Sequence, residues 1–90
     1  MTSISSRPVR NVLGPRIRQL RESKGWSQAD MARRLQLMGW DVERTVLTKI
    51  ELRRRCIADY ELMAIVQVLE IPLSEFQMPK KTDLRGFFLK

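Results

Sequence analysis

The chain of 90 residues has no histidine and one cysteine, Cys56. Without histidine there is no imidazole group to act as a general base or to bind a metal ion. A single cysteine can build neither an internal disulfide nor a zinc site. The chain also lacks a glycine-rich phosphate-binding loop. We therefore expect that the protein is not an enzyme and has no metal site and no cofactor.

Long apolar runs are missing as well. No run approaches the roughly 18 residues that a membrane span requires, and Met1 to Arg10 lack the apolar core of a signal peptide. Together with the single cysteine, this predicts a cytoplasmic protein that has no membrane partner. The composition is 43% hydrophobic and 30% charged, which is typical of one small folded domain.

Acidic residues are scarce in the first part of the chain. The net charge is +7, but residues 1–55 carry +8 and residues 56–90 carry −1. A basic excess confined to one region is the electrostatic footprint expected of a nucleic-acid-binding protein. It is also compatible with an acidic protein partner or an anionic membrane surface. The aromatic arrangement of the common RNA-binding modules is absent.

Helical patterns dominate the sequence, and clear strands are absent, so we predict an all-α fold. Residues 1–13 are polar and are predicted to form a flexible arm, in which Arg7 and Arg10 could touch DNA. Residues 14–79 form the predicted domain, and residues 80–90 form an apolar tail that either folds back or meets a second copy of the chain.

Capping residues delimit the predicted helices. Gly25 ends the first helix, which begins at Gly14 and Pro15. Ser27 and Asp30 form a capping box at the start of the second helix, which Gly39 ends. The third helix spans 43–52, the fourth spans 60–69 with Asp59 as its cap, and a short fifth helical turn at 74–76 is capped by Ser74.

The third helix is amphipathic. Val46, Leu47 and Ile50 are spaced three and four residues apart, which makes one apolar stripe. The opposite side carries basic and hydroxyl side chains that suit the major groove of DNA, where Arg and Lys pair with guanine and Thr meets thymine methyl groups or phosphates. The predicted base-reading residues are Arg44, Thr45, Thr48 and Lys49. The alternative is a solvated amphipathic helix without a ligand.

Four further residues are predicted phosphate contacts. Gln28 lies in the first turn of the second helix, where amides meet phosphates, although it could also be an exposed residue without a role. Arg53, Arg54 and Arg55 follow the third helix. They suit phosphate binding, and they also favour the dipole of the helix that they end.

The order of these features resembles the Xre-like helix-turn-helix family, the class of phage repressors and Cro. The resemblance covers about residues 13–77 and is carried by Trp26-Ser27-Gln28, by Ala32 and by Ile50-Glu51. It implies a compact, lambda-repressor-like bundle of five helices, in which helices 2 and 3 form a helix-turn-helix that binds double-stranded DNA. This chain departs from the family pattern in the longer segment Gln36–Asp41 and in Leu52-Arg53, which replaces Asn-Gly.

We therefore predict a sequence-specific transcriptional regulator, a repressor-class protein that reads the major groove with helix 3. A single domain reads few base pairs, so a homodimer is expected, with half-sites about one DNA turn apart. The apolar tail and helix 5 are its predicted interface. The alternative function is a protein-interaction module, an antitoxin or adaptor, that holds a protein partner through the tail around Phe87 and Phe88.

Overall fold

A computed structural model describes residues 10–76, 84, 85 and 88. Residues 10–76 form four α-helices and one 3₁₀ helix, without strands, and residues 84, 85 and 88 are helical as well. Their bounds are α1 Gly14–Ser23, α2 Gln28–Leu37, α3 Arg44–Glu51, α4 Asp59–Leu69 and the 3₁₀ helix Leu73–Glu75. The predicted all-α class is confirmed. Arm residue Arg7 and tail residue Phe87 lie outside the described residues.

The predicted bundle of five helices is wrong in its count, because residues 10–76 form four α-helices. The predicted fifth helix is a single 3₁₀ turn of three residues, and the backbone at Phe76 is already extended. Pro72, with an extended backbone, occupies the cap position before this turn. Ser74, the predicted cap, lies inside the turn. A segment of three residues is too short for the hydrogen bonds of an α-helix, which join residues four apart. Its two backbone hydrogen bonds join residues three apart, as in a 3₁₀ helix.

The ends of α2 are as predicted. The Ser27 hydroxyl accepts a hydrogen bond from the backbone N–H of Asp30 at 3.0 Å, and the Asp30 carboxylate accepts one from the N–H of Ser27 at 2.9 Å. These two bonds form the capping box, and the bond from the Ser27 backbone is the main cause of the lowered pKa of Asp30. At the other end, Gly39 has φ +107, a backbone conformation that a residue with a Cβ rarely adopts.

The start of α4 differs by one residue from the prediction. Asp59 is the first helical residue, and Ala58 occupies the cap position with an extended backbone. The backbone N–H of Ala58 donates to the Glu61 carboxylate at 2.9 Å. The capping function predicted for Asp59 is therefore carried out by an acidic side chain three residues after the cap, which reaches back to the backbone.

The core lies where α3 crosses α1 and α2, with α4 packed on α2. Leu47 and Ile50 of α3 are fully buried, so the predicted apolar stripe is the inner face of this helix. Eight further apolar side chains complete the core: Ile17, Leu20, Met31, Ala32, Leu35, Val42, Ile65 and Leu69.

The segment before α1 is packed against the end of α3. Asn11, which the sequence grouped with the arm, is 8% exposed. Its carbonyl oxygen accepts from the backbone N–H groups of Leu13 and Gly14, and its amide nitrogen donates to the carbonyl oxygens of Ile50 and Arg55. One side chain thus binds the backbone at the start of α1 and joins it to the last turn of α3, using both its donor and acceptor capacity.

Candidate nucleic-acid interface

The outer side of α3 carries three exposed side chains, Arg44, Thr45 and Lys49, while Thr48 is half-buried at its edge. The structure thereby brings all four predicted base-reading residues to one helix. Glu43 precedes the helix and is exposed, and its side chain makes no capping hydrogen bond. Because Leu47 and Ile50 anchor the inner side, the orientation of the outer side is fixed by the core.

Gln28 of α2 is hydrogen-bonded to α3. Its amide oxygen accepts from the Thr48 hydroxyl at 2.8 Å, and its amide nitrogen donates to the Glu51 carboxylate at 3.0 Å. The first turn of α2 and the middle of α3 are therefore held together by side chains at the candidate interface. One of the two amide N–H bonds of Gln28 is left for another acceptor.

Glu51 is also bound by an arginine of α1. Arg21 donates to both carboxylate oxygens, from Nε at 2.7 Å and from Nη2 at 3.1 Å, and its Nη1 donates to the carbonyl oxygen of Trp26 at 2.6 Å. Both charged residues are buried, and the hydrogen bond to Glu51 raises the pKa of Arg21. A bidentate pair of this kind fixes orientation as well as distance.

We call the four residues Arg21, Gln28, Thr48 and Glu51 the polar network. It joins α1, α2 and α3 beneath the exposed side chains of α3. The sequence did not assign Arg21 or Glu51 to the site, because they lie 30 positions apart and only the fold pairs them. The signal in the sequence was indirect: Glu51 is the acidic member of the Ile50-Glu51 pair that supports the family resemblance.

The three arginines after α3 have different surroundings. Arg53 has a left-handed backbone with φ +64, and its Nε donates to the carbonyl oxygen of Asn11 at 3.0 Å. Arg55 forms a two-bond ion pair with Glu61, at 2.9 Å for each bond. Arg54 is exposed. The predicted phosphate-binding run therefore contains two arginines with contacts inside the protein and one with an exposed side chain.

The ion pair between Arg55 and Glu61 shifts the pKa values of both residues. The hydrogen bond from Arg55 lowers the pKa of Glu61, and the same bond raises the pKa of Arg55. Each shift favours the charged form of the group. Since Glu61 is 7% exposed and also caps α4, its charge stabilises the connection between α3 and α4.

Asn11 is a further residue whose role the sequence did not indicate. Asn side chains often accept hydrogen bonds from backbone N–H groups a few residues later in the chain, and Asn11 stands three residues before Gly14, the predicted helix start. That spacing was only a general signal. The structure adds what spacing could not give, namely the contact of Asn11 with the carbonyl oxygen of Ile50 at the end of α3.

Two other kinds of site find no support in the described ranges. No group of three or more acidic, cysteine or histidine side chains among residues 10–76, 84, 85 and 88 could hold a metal ion. No helix in the part of the chain that the structure describes is long and apolar enough to cross a membrane.

Comparison with known proteins identifies the family. The family model HTH_3, described as a helix-turn-helix, matches residues 17–76, which is two thirds of the chain. The matched segment begins within α1 and ends just after the 3₁₀ helix. No curated protein and no solved structure is significantly similar to the chain. The match includes the exposed side of α3 and the polar network beneath it. The chain therefore belongs to the Xre-like, lambda-repressor-like helix-turn-helix family of DNA-binding regulators.

Proposed function

We propose that this protein is a sequence-specific transcriptional regulator that acts in the cytoplasm and inserts α3 into the major groove of double-stranded DNA. The observation that carries the proposal is the division of α3 into two sides. Leu47 and Ile50 are fully buried, and Arg44, Thr45 and Lys49 are exposed opposite them. An eight-residue helix with one buried side presents its other side to a groove of matching width.

The chemistry of the exposed side supports base reading. Arg44 and Lys49 can donate to the O6 and N7 acceptors of guanine, and the methyl group of Thr45 can contact a thymine methyl group. The Thr48 hydroxyl is bound to Gln28 at 2.8 Å, so we assign to Thr48 an apolar contact through its methyl group. Together these four residues would allow the helix to distinguish bases both by hydrogen bonds and by apolar contacts.

Phosphate binding is assigned mainly to Arg54 and Gln28. Arg54 is exposed, and Gln28 keeps one N–H at the start of α2, where the helix dipole favours an anion. Arg53 and Arg55 add positive charge to the same region, but their guanidinium groups are held by Asn11 and Glu61. We therefore expect them to stabilise the turn after α3 and to contribute less to phosphate contact.

Selection of bound sequences from a random duplex pool at near-physiological salt tests the proposal. We expect recovery of a short motif, and of an inverted repeat if the protein binds as the proposed homodimer. A scrambled duplex of equal length is the control for non-specific binding. Recovery of no motif above background would contradict sequence-specific reading.

A second candidate function is a protein-interaction module, an antitoxin or adaptor, built on the same scaffold. The observation in its favour is Phe88, whose side chain is 78% exposed in the tail. An apolar side chain of this size is a typical anchor for a protein partner. Loss of a bound protein on truncation at Pro79, together with no DNA binding at low salt, would favour this function over the first.

A further inference from the structure

A cavity of about 470 Å³ lies between the segment that precedes α1, the start of α4 with the connection before it, and the tail. Each of these three parts contributes apolar side chains to its lining, namely Leu13, Ile57, Leu62, Leu84 and Phe88. Ligand-binding cavities in proteins have volumes of roughly 300–1,000 Å³ and are lined mainly by apolar side chains. The size and the lining of this cavity therefore suit a small molecule.

The buried polar side chain in the described part of the lining has no capacity left for a ligand. Asn11 is 8% exposed, and its amide nitrogen donates to the carbonyl oxygens of Ile50 and Arg55, at 3.1 and 2.8 Å. Its own carbonyl oxygen accepts from the backbone N–H groups of Leu13 and Gly14. Both donors and both lone pairs of the amide are thereby occupied. A ligand that touches this wall is therefore apolar at the contact, because a polar group there would lose its bonds to water without a replacement.

The charged side chains of the lining have opposite signs and lie at the rim. Arg10 and Asp59 are both exposed, so neither brings a charge into the interior of the cavity. An anionic ligand would meet attraction from one and repulsion from the other, and the same holds for a cation. Since moving an unpaired ion from water into apolar surroundings is costly, the cavity favours an uncharged ligand.

Phe88 favours a ligand with an aromatic ring. Its side chain lines the cavity and is 78% exposed, so most of its surface is available to a second ring. Aromatic rings attract each other in offset-stacked and edge-to-face arrangements. An apolar cavity of roughly 150 Å³ is large enough to hold benzene, and this one admits a larger molecule.

We propose that the cavity binds a small, uncharged aromatic molecule of about one or two rings, which packs between Phe88 and the apolar side chains at the start of α4. This binding needs no DNA, so it goes beyond the proposed function and is measured separately from it. A regulator with an empty cavity and a ligand-binding protein that fails to select a DNA sequence are therefore distinguishable results.

The first test is an NMR titration of the isotope-labelled full chain with indole, an uncharged molecule of two fused rings, without DNA. We expect saturable shifts of the backbone amide signals at residues 10–13 and 56–62, which form the cavity wall. Indole-3-acetate and tryptamine carry a negative and a positive charge on the same ring system, so they are the matched ligand controls. Both should bind more weakly than indole, because the cavity interior offers their charges no partner.

Leu62→Trp is the blocking variant, because a larger side chain at this lining position occupies the cavity itself. We expect it to raise the Kd for indole at least about tenfold. Met63→Trp is the control, since it adds the same side chain at the next position of α4, which is exposed and outside the described lining. It should leave the Kd unchanged, and circular dichroism checks that both variants keep the helix content of wild type.

Phe88→Leu tests the aromatic contact and decides the question if Leu62→Trp does not fold. It keeps an apolar side chain in the lining but removes the ring. We expect the Kd for indole to rise about two- to tenfold, as loss of one aromatic pair implies.

The single cysteine gives a second readout. Cys56 is exposed and lines the cavity, so a bound ligand should cover it. We expect saturating indole to slow maleimide labelling of the wild-type thiol and to leave the labelling rate of Leu62→Trp unchanged.

Four results would overturn the proposal. The first is the absence of saturable shifts at the cavity wall, which includes the case in which the tail or a second copy of the chain fills the cavity. The second is an unchanged Kd for both Leu62→Trp and Phe88→Leu, or an equal rise for Met63→Trp. The third is binding of a charged analogue as tight as that of indole. The fourth is a labelling rate of wild-type Cys56 that indole does not change.

Discussion

Gln28 and Thr48 are hydrogen-bonded to each other at 2.8 Å, and Gln28 is bound in turn to the buried carboxylate of Glu51. Their positions are therefore set by the fold before any ligand arrives. A side chain that is held in place loses less conformational entropy on binding than one that is mobile in solution. At the scale of single residues, the candidate interface thus combines held side chains with the exposed side chains of Arg44, Thr45 and Lys49.

Arg44 is the residue to which we assign the largest role in base discrimination. Arg44→Ala should weaken binding to the selected site by about 1–3 kcal/mol and relax the preference at one base pair, because a bidentate contact to guanine is lost. Arg18→Ala is the control, since it removes the same charge from α1, where Arg18 pairs with Glu22. Fluorescence anisotropy with cognate and single-base variant duplexes measures both effects. Equal affinities of Arg44→Ala and wild type would contradict the assignment.

Glu61 gives a prediction for pH. Because Arg55 lowers the pKa of folded Glu61 below the ordinary 4.5, the pair stabilises the fold fully above that value and loses its effect as the pH falls through the lower, folded pKa. Glu61→Gln should therefore lower the free energy of unfolding at pH 7 by about 1–3 kcal/mol. The difference from wild type should shrink below pH 4.5.

Urea unfolding at a series of pH values measures this difference. Glu22→Gln is the matched control, because its carboxylate is exposed, pairs with exposed Arg18 at 3.2 Å and lies 4.0 Å from Arg21, and exposed pairs contribute less than about 1 kcal/mol. A Glu61→Gln effect that stays constant with pH would show that the carboxylate charge is not its cause.

At the scale of helices, the fold depends on a close approach between α1 and α3. Gly14 lies against the end of α3, and a Cβ at this position would overlap the carbonyl oxygen of Ile50. Asn11 bridges the same two elements through the hydrogen bonds described above. The start of α1 is therefore fixed by steric fit and by hydrogen bonding together.

Gly14→Ala should lower the free energy of unfolding by about 1–3 kcal/mol, because an extra methyl group at a packed contact forces the backbones apart. The two nearest atoms are the carbonyl oxygens of Ile50 and Glu51, and these backbone atoms cannot rotate away as a side chain would. Gln19→Ala, on the exposed side of the same helix, should change stability by less than about 0.5 kcal/mol. Thermal unfolding compares the two, and equal stabilities would contradict the close contact.

The helix boundaries were largely predictable because local chemistry determines them. The capping box of Ser27 and Asp30 and the left-handed glycines at 25 and 39 lie where the sequence placed them. The errors arose where a local signal was ambiguous. Asp59 suits a cap by type, but the backbone of Ala58 takes the position, and the segment at 73–75 contains only enough chain for one 3₁₀ turn.

At the scale of the whole molecule, we expect the positive charge of residues 1–55 to determine how the protein approaches DNA. Each phosphate contact releases counterions, so the affinity falls with salt in proportion to the number of contacts. This electrostatic contribution to the affinity is similar for any DNA sequence. It is therefore separable by experiment from the proposed base contacts of α3, which would act on one sequence.

Arg54→Ala should weaken binding to the selected site and to a scrambled duplex by similar factors. It should also reduce the slope of log affinity against log salt by about one, because one phosphate contact is lost. Arg44→Ala is the comparison, since it should affect the selected site more than the scrambled one. Titrations over a range of salt concentrations measure the slopes, and an unchanged slope for Arg54→Ala would contradict phosphate contact.

The candidate site was predictable from sequence only in part. Helical periodicity and the family resemblance placed four residues on one side of α3, and the exposed positions of Arg44, Thr45 and Lys49 agree with that placement. Periodicity could not distinguish the surroundings of Arg53, Arg54 and Arg55, because their partners come from other parts of the chain. The pairing of Arg21 with Glu51 was likewise invisible until the fold joined them.

The polar network also determines how this scaffold can acquire a new binding preference. Arg44, Thr45 and Lys49 can be exchanged at little cost to folding, since substitutions at exposed positions usually change stability by less than about 0.5 kcal/mol. A change at Thr48 removes the hydroxyl group that donates to Gln28 and therefore disturbs the polar network. Diversification of this protein, by evolution or by library selection, should therefore concentrate on three positions and leave the fourth unchanged.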